Sequence, residues 1–259
     1  MEDTSLLSVE DLSVSYGKKT VVQSVSFCLR QGEILVIVGE SGSGKSTVLK
    51  AVQGLLGAGG KIIGGNVLLN GQDISHISRE QRRELAGSSM AMIFQNAGAS
   101  FCSVRTVGDQ IYECVREHRD WSREEFYKRA GAIMDHIHLP GSVLDEYPFR
   151  LSGGMGQRAG ILAAMILEPA LLLADEPTSA LDTVTQVSVV RELMELRRRR
   201  GISILMVTHN MGIAWHMADC VLVMRNGAMV EYGTKEEIFH HPQEAYTREL
   251  IESVPRLEV

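Results

Sequence analysis

Residues 39–46, with the sequence GESGSGKS, have the types and the spacing of a loop that binds the phosphates of a nucleotide. Its three glycines let the backbone fold tightly, so that successive N–H groups point at phosphate oxygens beside the positive end of the following helix. Lys45 then reaches the β and γ phosphates, and the hydroxyl of Ser46 is offered to Mg²⁺. Because an apolar run, Ile34–Val38, precedes the loop, the pattern predicts a nucleotide site between a strand and a helix.

Two adjacent carboxylates form a candidate hydrolytic pair directly after a second apolar run, Leu171–Ala174. We predict that Asp175 binds Mg²⁺ and that Glu176 acts as a general base or orients the attacking water. The alternative is a solvated loop after a strand, but a phosphate loop needs a metal-binding carboxylate elsewhere in the chain. These elements indicate an NTPase and leave its kind open.

A third stretch, residues 151–158 with the sequence LSGGMGQR, places a serine and two glycines at the start of a predicted helix. A helix start of this kind is a second anion-binding geometry in a chain that already has a phosphate loop. The alternative is that Ser152 simply caps the helix. From the residues alone, the two interpretations weigh equally.

The elements that position these residues follow from the hydrophobic pattern. In the first seventy residues, short β-branched runs alternate with turns and predict a β-rich layer, whereas the stretch from Thr106 to Leu139 is helical in pattern and predicts an inserted helical lobe. Beyond it, apolar runs alternate with amphipathic stretches, which indicates a largely parallel sheet, and Asn226 with Gly227 predicts a hairpin. The predicted strands are Leu6–Val9, Val21–Leu29, Ile34–Val38, Asn66–Leu69, Leu171–Ala174, Ile202–Val207 and Cys220–Met224, and the later predicted helices are Val184–Arg199, Met211–Ala218, Thr234–His240 and Glu244–Ser253.

Composition restricts the class of protein. The 259 residues suit one large domain or one domain with an inserted lobe, and a net charge of −6 argues against non-specific binding to nucleic acid. No apolar run approaches the roughly 20 residues of a membrane-spanning helix, and the acidic N-terminus predicts no signal peptide and hence a cytoplasmic protein. The four scattered cysteines include no C-x-x-C pair, which favours reduced thiols.

The stretch at 151–158 resembles the signature motif of the ATP-binding cassette ATPases, and further motifs of that family occur in the expected order. Tyr16 resembles the aromatic residue that stacks on adenine, and Gln95 the Q-loop glutamine, which senses the γ-phosphate and Mg²⁺. The sequence Ser179–Asp182 resembles the D-loop, and His209 the switch histidine that contacts the γ-phosphate. Simpler alternatives are a turn aromatic, a polar loop residue, a helix cap at Asp182 and a core histidine.

The resemblance implies a complete set of site residues, with ATP and Mg²⁺ as the bound species. Predicted to bind nucleotide are Tyr16, Gly39, Glu40, Ser41, Gly42, Ser43, Gly44, Lys45, Ser46, Thr47, Leu151, Ser152, Gly153, Gly154, Gln157 and Asp182. Predicted to hold Mg²⁺ are Ser46, Gln95 and Asp175, and predicted to act in hydrolysis are Gln95, Glu176 and His209.

The fold implied by the resemblance is an α/β P-loop NTPase (RecA-like) core with an N-terminal antiparallel β subdomain and an inserted α-helical signature subdomain. Residues 1–95 and 168–240 would form the core with its β subdomain, 96–167 the helical subdomain and 241–259 a C-terminal tail helix. The implied partners are a second, non-identical ATPase subunit in a head-to-tail dimer, two transmembrane permease subunits and, indirectly, an extracytoplasmic substrate-binding protein. No nucleic acid is expected, and the implied location is the cytoplasmic face of the inner membrane.

Two stretches narrow the resemblance to the peptide and nickel import subgroup. They are residues 147–155, YPFRLSGGM, and residues 241–255, HPQEAYTRELIESVP. The implied cargo is nickel, another metal chelate or an oligopeptide. A soluble scaffold ATPase, such as the type that assembles iron–sulfur clusters, is the alternative. A DNA-repair or translation ATPase would instead show a coiled-coil insertion or a second cassette.

The sequence departs from the subgroup at two places. Residues 96–103, after the Q-loop glutamine, lack the prolines that are common there. Gly156 stands where a large residue is common, and glycine at this position lowers the helix propensity by about 1 kcal/mol. If Gly156 has no role, Gly156→Arg should leave ATPase coupling intact. Of the remaining features, we assign Arg197–Arg200 to a helix C-terminus, where cations offset the helix dipole, and expect no metal site at His136, His138, His240 and His241.

Overall fold

A computed structural model of the chain describes residues 5–179 and 181–253. They form two compact units, the first from residues 5–82 and 203–253 and the second from residues 83–179 and 181–202. Parts of two predicted motifs, Ala180 of the D-loop stretch and Val254 and Pro255 of the tail stretch, lie outside the described residues.

Both units combine strands and helices. The strands are β1 (Ser5–Tyr16), β2 (Lys19–Arg30), β3 (Ile34–Val38), β4 (Gly60–Leu69), β5 (Gln72–Asp73), β6 (Met90–Ile93), β7 (Leu171–Asp175), β8 (Ser203–Val207), β9 (Cys220–Arg225) and β10 (Ala228–Thr234). The α-helices are α1 (Lys45–Gln53), α2 (Arg79–Leu85), α3 (Val107–Arg116), α4 (Arg123–His136), α5 (Gly153–Met165), α6 (Thr183–Arg200), α7 (Met211–Met217), α8 (Lys235–His240) and α9 (Ala245–Glu252). Short 3₁₀ helices span Ala97–Ser100, Gly141–Asp145 and Pro148–Arg150.

The first unit contains the strands in the spatial order β5-β4-β1-β2-β10-β9-β3-β8. Strand β3 pairs in parallel with β8 and β9, and all five of its residues are buried, as expected for a parallel strand covered on both faces. Strand β1 pairs antiparallel with β2 and β4, and it combines buried with partly and fully exposed residues. The predicted β-rich layer and the parallel strands are both present.

Two Asn–Gly turns close hairpins in the first unit. Asn70 and Gly71 connect β4 to β5, and Asn226 and Gly227 connect β9 to β10; the φ angles are 50° and 77° at the first turn and 51° and 84° at the second. Positive φ at both central residues matches the right-handed twist of the strands, and asparagine and glycine tolerate it best. The hairpin predicted at Asn226 is therefore confirmed.

The second unit pairs β6 with β7 in parallel and is otherwise mostly helical. Side-chain caps begin its helices: Thr106 caps α3, Ser122 caps α4, Ser152 caps α5 and Asp182 caps α6. Phe126 of α4 is fully buried, and its ring centroid lies 5.3 Å from that of Tyr112 of α3. The helical pattern predicted between Thr106 and Leu139 thus corresponds to two helices that pack on each other.

Sequence patterns missed several short elements, among them α2 and β6. Helix α2 has no buried residue, and β6 is only four residues long, so neither has enough periodicity to be recognised. Over the part of the chain that the structure describes, no helix has both the length and the apolar character needed to cross a membrane.

Candidate nucleotide-binding site

The phosphate loop lies in the first unit between β3 and α1 and requires glycine at its first position. The φ angle of Gly39 is +144°, and a Cβ atom there would lie 2.1 Å from the carbonyl oxygen of Met224. Any side chain at residue 39 would therefore force apart the loop and the end of β9. From the same hairpin, the N–H of Gly227 donates a hydrogen bond to the carbonyl oxygen of Ser43 at 3.0 Å. The β9–β10 hairpin thus supports the loop from one side.

Lys45 is held inside this loop. Its Nζ atom donates hydrogen bonds to the carbonyl oxygens of Gly39 at 2.8 Å and Glu40 at 2.7 Å, and it lies 3.4 Å from the Oγ atom of Ser43. The residue is only 4% exposed. Since the loop carbonyls fix a buried ammonium group at the start of α1, a positive charge is preorganised where the sequence predicts phosphate.

The start of α1 has the electrostatics of an anion site. Its N-cap residue is Gly44, which provides no side-chain cap, and the first turn contains no acidic residue. The positive end of the helix dipole therefore favours negative charge at this end. The residues at the loop fit a phosphate chain by charge and by donor geometry.

His209 lies at the same edge of the sheet as the phosphate loop. It is exposed and follows β8, which runs parallel to β3 with Val207 opposite Ile37. The N–H of Thr208 donates to the carbonyl oxygen of Ile37 at 3.1 Å, which holds the two strand ends together. The alternative that His209 is a core histidine is therefore wrong, because the residue is exposed at the carboxyl edge of the sheet.

Tyr16 ends β1 and is half-buried. Its hydroxyl donates a hydrogen bond to the carbonyl oxygen of Leu56 at 2.7 Å, and a Cβ atom on Gly60 would lie 2.9 Å from its ring. The segment between α1 and β4 thus fixes the ring, and its stacking on adenine stays a prediction.

In the second unit, Asp175, Glu176 and Gln95 emerge at one edge. Strands β6 and β7 are parallel, so that both of them end there. The Nε2 atom of Gln95 lies 3.3 Å from the Oε2 atom of Glu176 and 3.3 Å from the Oγ atom of Ser179. Asp175 is nearly buried at the end of β7. The structure therefore brings the predicted Q-loop glutamine and the predicted general base into hydrogen-bond contact.

Glu176 adopts a backbone conformation that is uncommon for a residue with a side chain. Its φ angle is +46°, in the left-handed region. Such conformations are retained where the surrounding structure imposes them, and they concentrate at functional sites. At this position the turn directs the chain out of β7 and brings the carboxylate to Gln95.

The signature stretch begins α5 in the same unit. The Oγ atom of Ser152 accepts a hydrogen bond from the N–H of Met155 at 3.3 Å, so the predicted cap is present, and both Ser152 and Gly153 are exposed. A Cβ atom on Gly154 would lie 3.0 Å from the methyl group of Thr185, which places the start of α5 beside the start of α6. The cap and an anion-binding role are compatible, because a cap satisfies only part of the free N–H groups.

Asp182 of the D-loop stretch caps α6. Its Oδ1 atom accepts from the N–H of Thr185 at 3.0 Å, and the Thr185 hydroxyl donates to Oδ2 at 2.6 Å. These hydrogen bonds, that of the hydroxyl first, hold the pKa of the Asp182 carboxyl below its ordinary value. Asp182 therefore has the capping role that the sequence allowed, and its contact with nucleotide stays a prediction.

Comparison with known families now identifies the chain. Residues 22–179 match the family described as "ABC transporter", and residues 230–259 match "Oligopeptide/dipeptide transporter, C-terminal region". The chain belongs to the ABC transporter family. The family resemblance and the P-loop NTPase fold class predicted from the sequence are confirmed, and the second match agrees with the peptide-import part of the subgroup resemblance.

Curated relatives of this ABC chain are ATP-binding proteins of import and transport systems. The "Glutathione import ATP-binding protein GsiA" of Escherichia coli (strain K12) is 42% identical over 265 residues, which cover 98% of this chain and 42% of that protein. The "Dipeptide transport ATP-binding protein DppD" of the same strain is 38% identical over 257 residues, which cover 97% of this chain and 79% of that protein. The chain therefore spans less than half the length of the glutathione import relative.

Solved ABC structures share the fold. CbiO1 from Clostridium perfringens, described as part of the ABC transporter complex cbiONQ, superposes with a TM-score of 0.80 and 25% identity over 98% of this chain and 97% of that chain. The ATP-binding cassette MJ0796, in a dimeric structure bound to ADP and Pi, superposes with a TM-score of 0.79 and 23% identity over 88% of this chain and 98% of that chain. At this identity the second likeness shows the fold alone.

The two departures from the ABC subgroup pattern pack against each other. The 3₁₀ helix Ala97–Ser100, two residues after Gln95, lies on α5. A Cβ atom on Gly156 would lie 3.1 Å from the Cα atom of Gly98, and one on Gly160 would lie 2.3 Å from the Cβ atom of Ala97. The condition that Gly156 has no role is therefore not met, because the glycine allows close backbone contact.

Gln157 reinforces this contact. It is 4% exposed, and its Oε1 atom accepts a hydrogen bond from the N–H of Ala97 at 3.2 Å. Its buried Nε2 atom has no hydrogen-bond partner among the residues that the structure describes. The side chain thus joins the signature helix to the Q-loop segment, and its contact with nucleotide stays a prediction.

Gly160→Ala tests this packing. We expect it to lower the free energy of unfolding by about 1–3 kcal/mol, because the added methyl group overlaps Ala97 and forces α5 from the Q-loop segment. Urea denaturation measures the change. The matched control is Gly131→Ala in α4, where a Cβ atom meets nothing within 4 Å, and alanine should raise stability by up to about 1 kcal/mol. An equal gain in both variants would show that the α5 contact is loose.

Sequence reasoning missed the ion pair that fastens the signature helix. Arg158 of α5 donates from Nε to the Oε1 atom of Glu192 of α6 at 3.0 Å and from Nη2 to the same oxygen at 2.8 Å. A further bond from Nη2 reaches the hydroxyl of Ser188 at 3.0 Å. The Glu192 side chain is only 3% exposed. One signal was present in the sequence: a glutamate within the apolar face of α6 needs a buried partner.

The arginines at the end of α6 have a structural explanation. Arg197–Arg200 form the last turn of α6 before Gly201, and Arg198 and Arg199 pair with Glu195, as expected for cations at a helix end. Within the described ranges, no group of three or more His, Cys, Asp or Glu side chains is placed to hold a metal ion.

Proposed function

We propose that the chain is the ATP-binding and ATP-hydrolysing subunit of an ABC importer. The observation that carries the proposal is the match of residues 230–259 to the C-terminal region of oligopeptide/dipeptide transporters in a chain with a complete phosphate loop. Two relatives that match nearly the whole chain are named for glutathione import and dipeptide transport, which supports the same conclusion.

In the first unit, the loop N–H groups and Lys45 would bind the phosphates, with Tyr16 against adenine and His209 toward the γ-phosphate. The support is the preorganised ammonium group, held by two loop carbonyls, and the uncapped start of α1. These groups act on charge that grows on the phosphate oxygens as the bond to the γ-phosphate breaks.

In the second unit, Glu176 would accept a proton from the attacking water or orient it, and Gln95 would hold the carboxylate in place. Asp175 and Gln95 offer carboxylate and amide oxygens, which are hard donors of the kind that Mg²⁺ prefers, so these residues of the second unit suit the ion; the predicted role of Ser46, in the first unit, is a separate expectation. When bound, Mg²⁺ would neutralise negative charge on the phosphate oxygens.

The exposed signature start at Ser152 and Gly153 supports a head-to-tail dimer in which it faces the nucleotide of a second ATPase subunit. In this proposal, ATP binding brings the two subunits together, and ATP hydrolysis allows them to separate. In the proposed importer, transmembrane permease subunits would form the transport path, and the chain would bind to them at the cytoplasmic face of the membrane. A non-identical second subunit and an extracytoplasmic binding protein complete the proposed complex.

For the cargo we propose a short peptide, because the relatives are named for glutathione and dipeptides. Nickel and metal chelates, the other cargoes suggested by the sequence, are alternatives for the same experiment. Proteoliposomes that contain the chain with the permease subunits encoded beside it would be supplied with the substrate-binding protein, and uptake of labelled dipeptide, tripeptide and Ni²⁺ measured with and without ATP.

The control for ATP use is Lys45→Ala. We expect it to lower phosphate release by about 100-fold or more, because the phosphates lose their fixed cation. Lys50→Ala, in the last turn of the same helix, removes an equal charge away from the loop and should hydrolyse ATP like the wild type. ATP-driven peptide uptake supports the proposal. Co-purification with soluble partners alone, without permeases, would overturn the transport role and favour a scaffold ATPase.

A further inference from the structure

A tyrosine from the C-terminal helix touches the phosphate loop. Tyr246 lies in the first turn of α9, and its Oη atom accepts a hydrogen bond from the backbone N–H of Glu40 at 3.2 Å. The two residues are separated by 206 positions in the chain. Tyr246 is 6% exposed, so the contact is made by a packed side chain.

The Tyr246 ring is held in place by Arg225. The guanidinium carbon of Arg225 lies 4.4 Å from the ring centroid, within the range of a cation–π interaction. Arg225 is the last residue of β9 and directly follows Met224, whose carbonyl oxygen lies against Gly39. The tyrosine and the hairpin thus support the same part of the loop.

The segment before α9 is also fastened. The N–H groups of Gln243 and Glu244 donate to the carboxylate of Glu231 on β10 at 2.8 Å and 3.3 Å, and Arg248 donates to the carbonyl oxygen of Pro242 at 2.8 Å. Fixed in this way, α9 loses little further freedom when the Tyr246 hydroxyl meets Glu40. Burial raises the pKa of Tyr246, so the group stays a neutral hydroxyl at physiological pH.

Glu40 connects the tail to the phosphate-binding lysine. Its N–H is bound by Tyr246, and its carbonyl oxygen accepts a hydrogen bond from Lys45 Nζ at 2.7 Å. Both backbone polar groups of one loop residue are therefore engaged, one by the C-terminal helix and the other by the lysine. The N–H of Glu40 also shares a rigid peptide unit with the carbonyl of Gly39, which accepts a hydrogen bond from Lys45 Nζ at 2.8 Å, so a displacement of α9 is expected to disturb the carbonyls that hold Lys45.

We propose that Tyr246 is a positioning residue of the phosphate loop, through which the C-terminal segment sets nucleotide affinity. The effect on nucleotide rests on the proposed function, whereas the effect on the loop backbone does not. The residue belongs to the segment, 230–259, that matches the C-terminal region of oligopeptide/dipeptide transporters. A partner that binds this segment would thereby change the affinity of the phosphate loop for nucleotide.

The test replaces Tyr246 by phenylalanine, which keeps the ring and the Arg225 contact and removes only the hydroxyl. We expect the Kd for ATP and for ADP to rise about three- to tenfold, the effect of one lost hydrogen bond, with kcat at saturating ATP less affected. Hydrogen exchange of the Glu40 amide in the nucleotide-free chain should accelerate by about the same factor. The thermal unfolding midpoint reports any general loss of stability.

Tyr232→Phe is the matched control. Its hydroxyl donates to the carbonyl oxygen of Cys28 at 2.9 Å, in the same unit and away from the loop residues. This variant should leave nucleotide affinity and Glu40 exchange unchanged. If Tyr246→Phe exchanges and binds nucleotide like the wild type, the positioning role is overturned, even if Tyr246→Leu is weakened through loss of the ring. If the wild type binds no nucleotide, the proposed function fails, and the exchange measurement still decides the role of Tyr246.

Discussion

Glu176→Gln should lower the rate of ATP hydrolysis by about 10²- to 10⁴-fold and leave ATP binding intact. The amide has nearly the shape of the carboxylate and can still accept the hydrogen bond that Gln95 donates at 3.3 Å, so the turn after β7 is retained. The missing property is the ability to take a proton from water, to which general base catalysis contributes a factor of this size. Phosphate release under saturating Mg²⁺ and ATP measures the loss.

The same variant also tests the proposed dimer. With hydrolysis slowed, bound ATP should hold two ATPase subunits together, and size-exclusion chromatography with Mg²⁺ and ATP should show the larger species. An ATP-dependent homodimer would show that the chain completes both sites by itself, against a non-identical partner. Assembly only after co-expression with a second ATPase subunit and permeases would support the heteromeric importer. Glu124→Gln, at an exposed position of α4, controls for the loss of one carboxylate and should hydrolyse ATP like the wild type.

Hydrolysis by Glu176→Gln at the wild-type rate would remove the assignment of this residue. The positive φ angle at residue 176 would then reflect only the turn after β7. Gln95→Ala would distinguish the two roles further. If Gln95 positions the carboxylate, its loss should lower kcat in the wild type and have little additional effect in Glu176→Gln, since the group that it positions no longer acts as a base.

Glu192→Ala should lower the free energy of unfolding by about 3–5 kcal/mol. Removal of one partner leaves Arg158, with a side chain 17% exposed, without its buried counter-charge. The bond from Arg158 to Ser188 remains and compensates only in part, because a hydroxyl carries no charge. Urea denaturation of the full chain measures the change, and we expect the exchange of amide hydrogens in α5 to accelerate.

A matched exposed pair provides the control. Arg83 and Glu117 are in contact at 2.6 Å, but their side chains are 74% and 59% exposed. Glu117→Ala should change stability by less than about 1 kcal/mol, because water screens such a pair. The double variant Arg158→Met, Glu192→Leu should recover most of the stability lost in Glu192→Ala, since an apolar pair of similar volume leaves no buried charge. Equal losses in Glu192→Ala and Glu117→Ala would mean that the buried pair contributes little.

Through these contacts, α5 connects the other predicted functional segments of the second unit. On one side it meets the Q-loop segment through Gly98 and Ala97, and on another it is fastened to α6 through Glu192. Since α6 begins at Asp182, the Q-loop, the signature and the D-loop stretches are joined by one helix. A displacement at any of the three is therefore expected to reach the other two.

The amino-acid sequence by itself determined the features that depend on neighbouring residues. The phosphate loop, the Asn–Gly turn of the β9–β10 hairpin, the strand before Asp175 and the cap at Ser152 are all local patterns, in which residue type and spacing set the backbone geometry. The family resemblance was available for the same reason, because its motifs are short and contiguous. These patterns carried the fold class and the candidate nucleotide site.

Only the tertiary structure decided the contacts between distant segments. The hydrogen bond from Glu40 to Tyr246 joins residues 206 positions apart, and the contact of Gly98 with Gly156 explains two departures that were separate in the sequence. In the sequence, Gly156 stood out only as a departure from the subgroup pattern, and nothing indicated which segment it contacts. Periodicity predicts which side of a helix is buried, whereas the segment that packs against that side is determined by the tertiary fold.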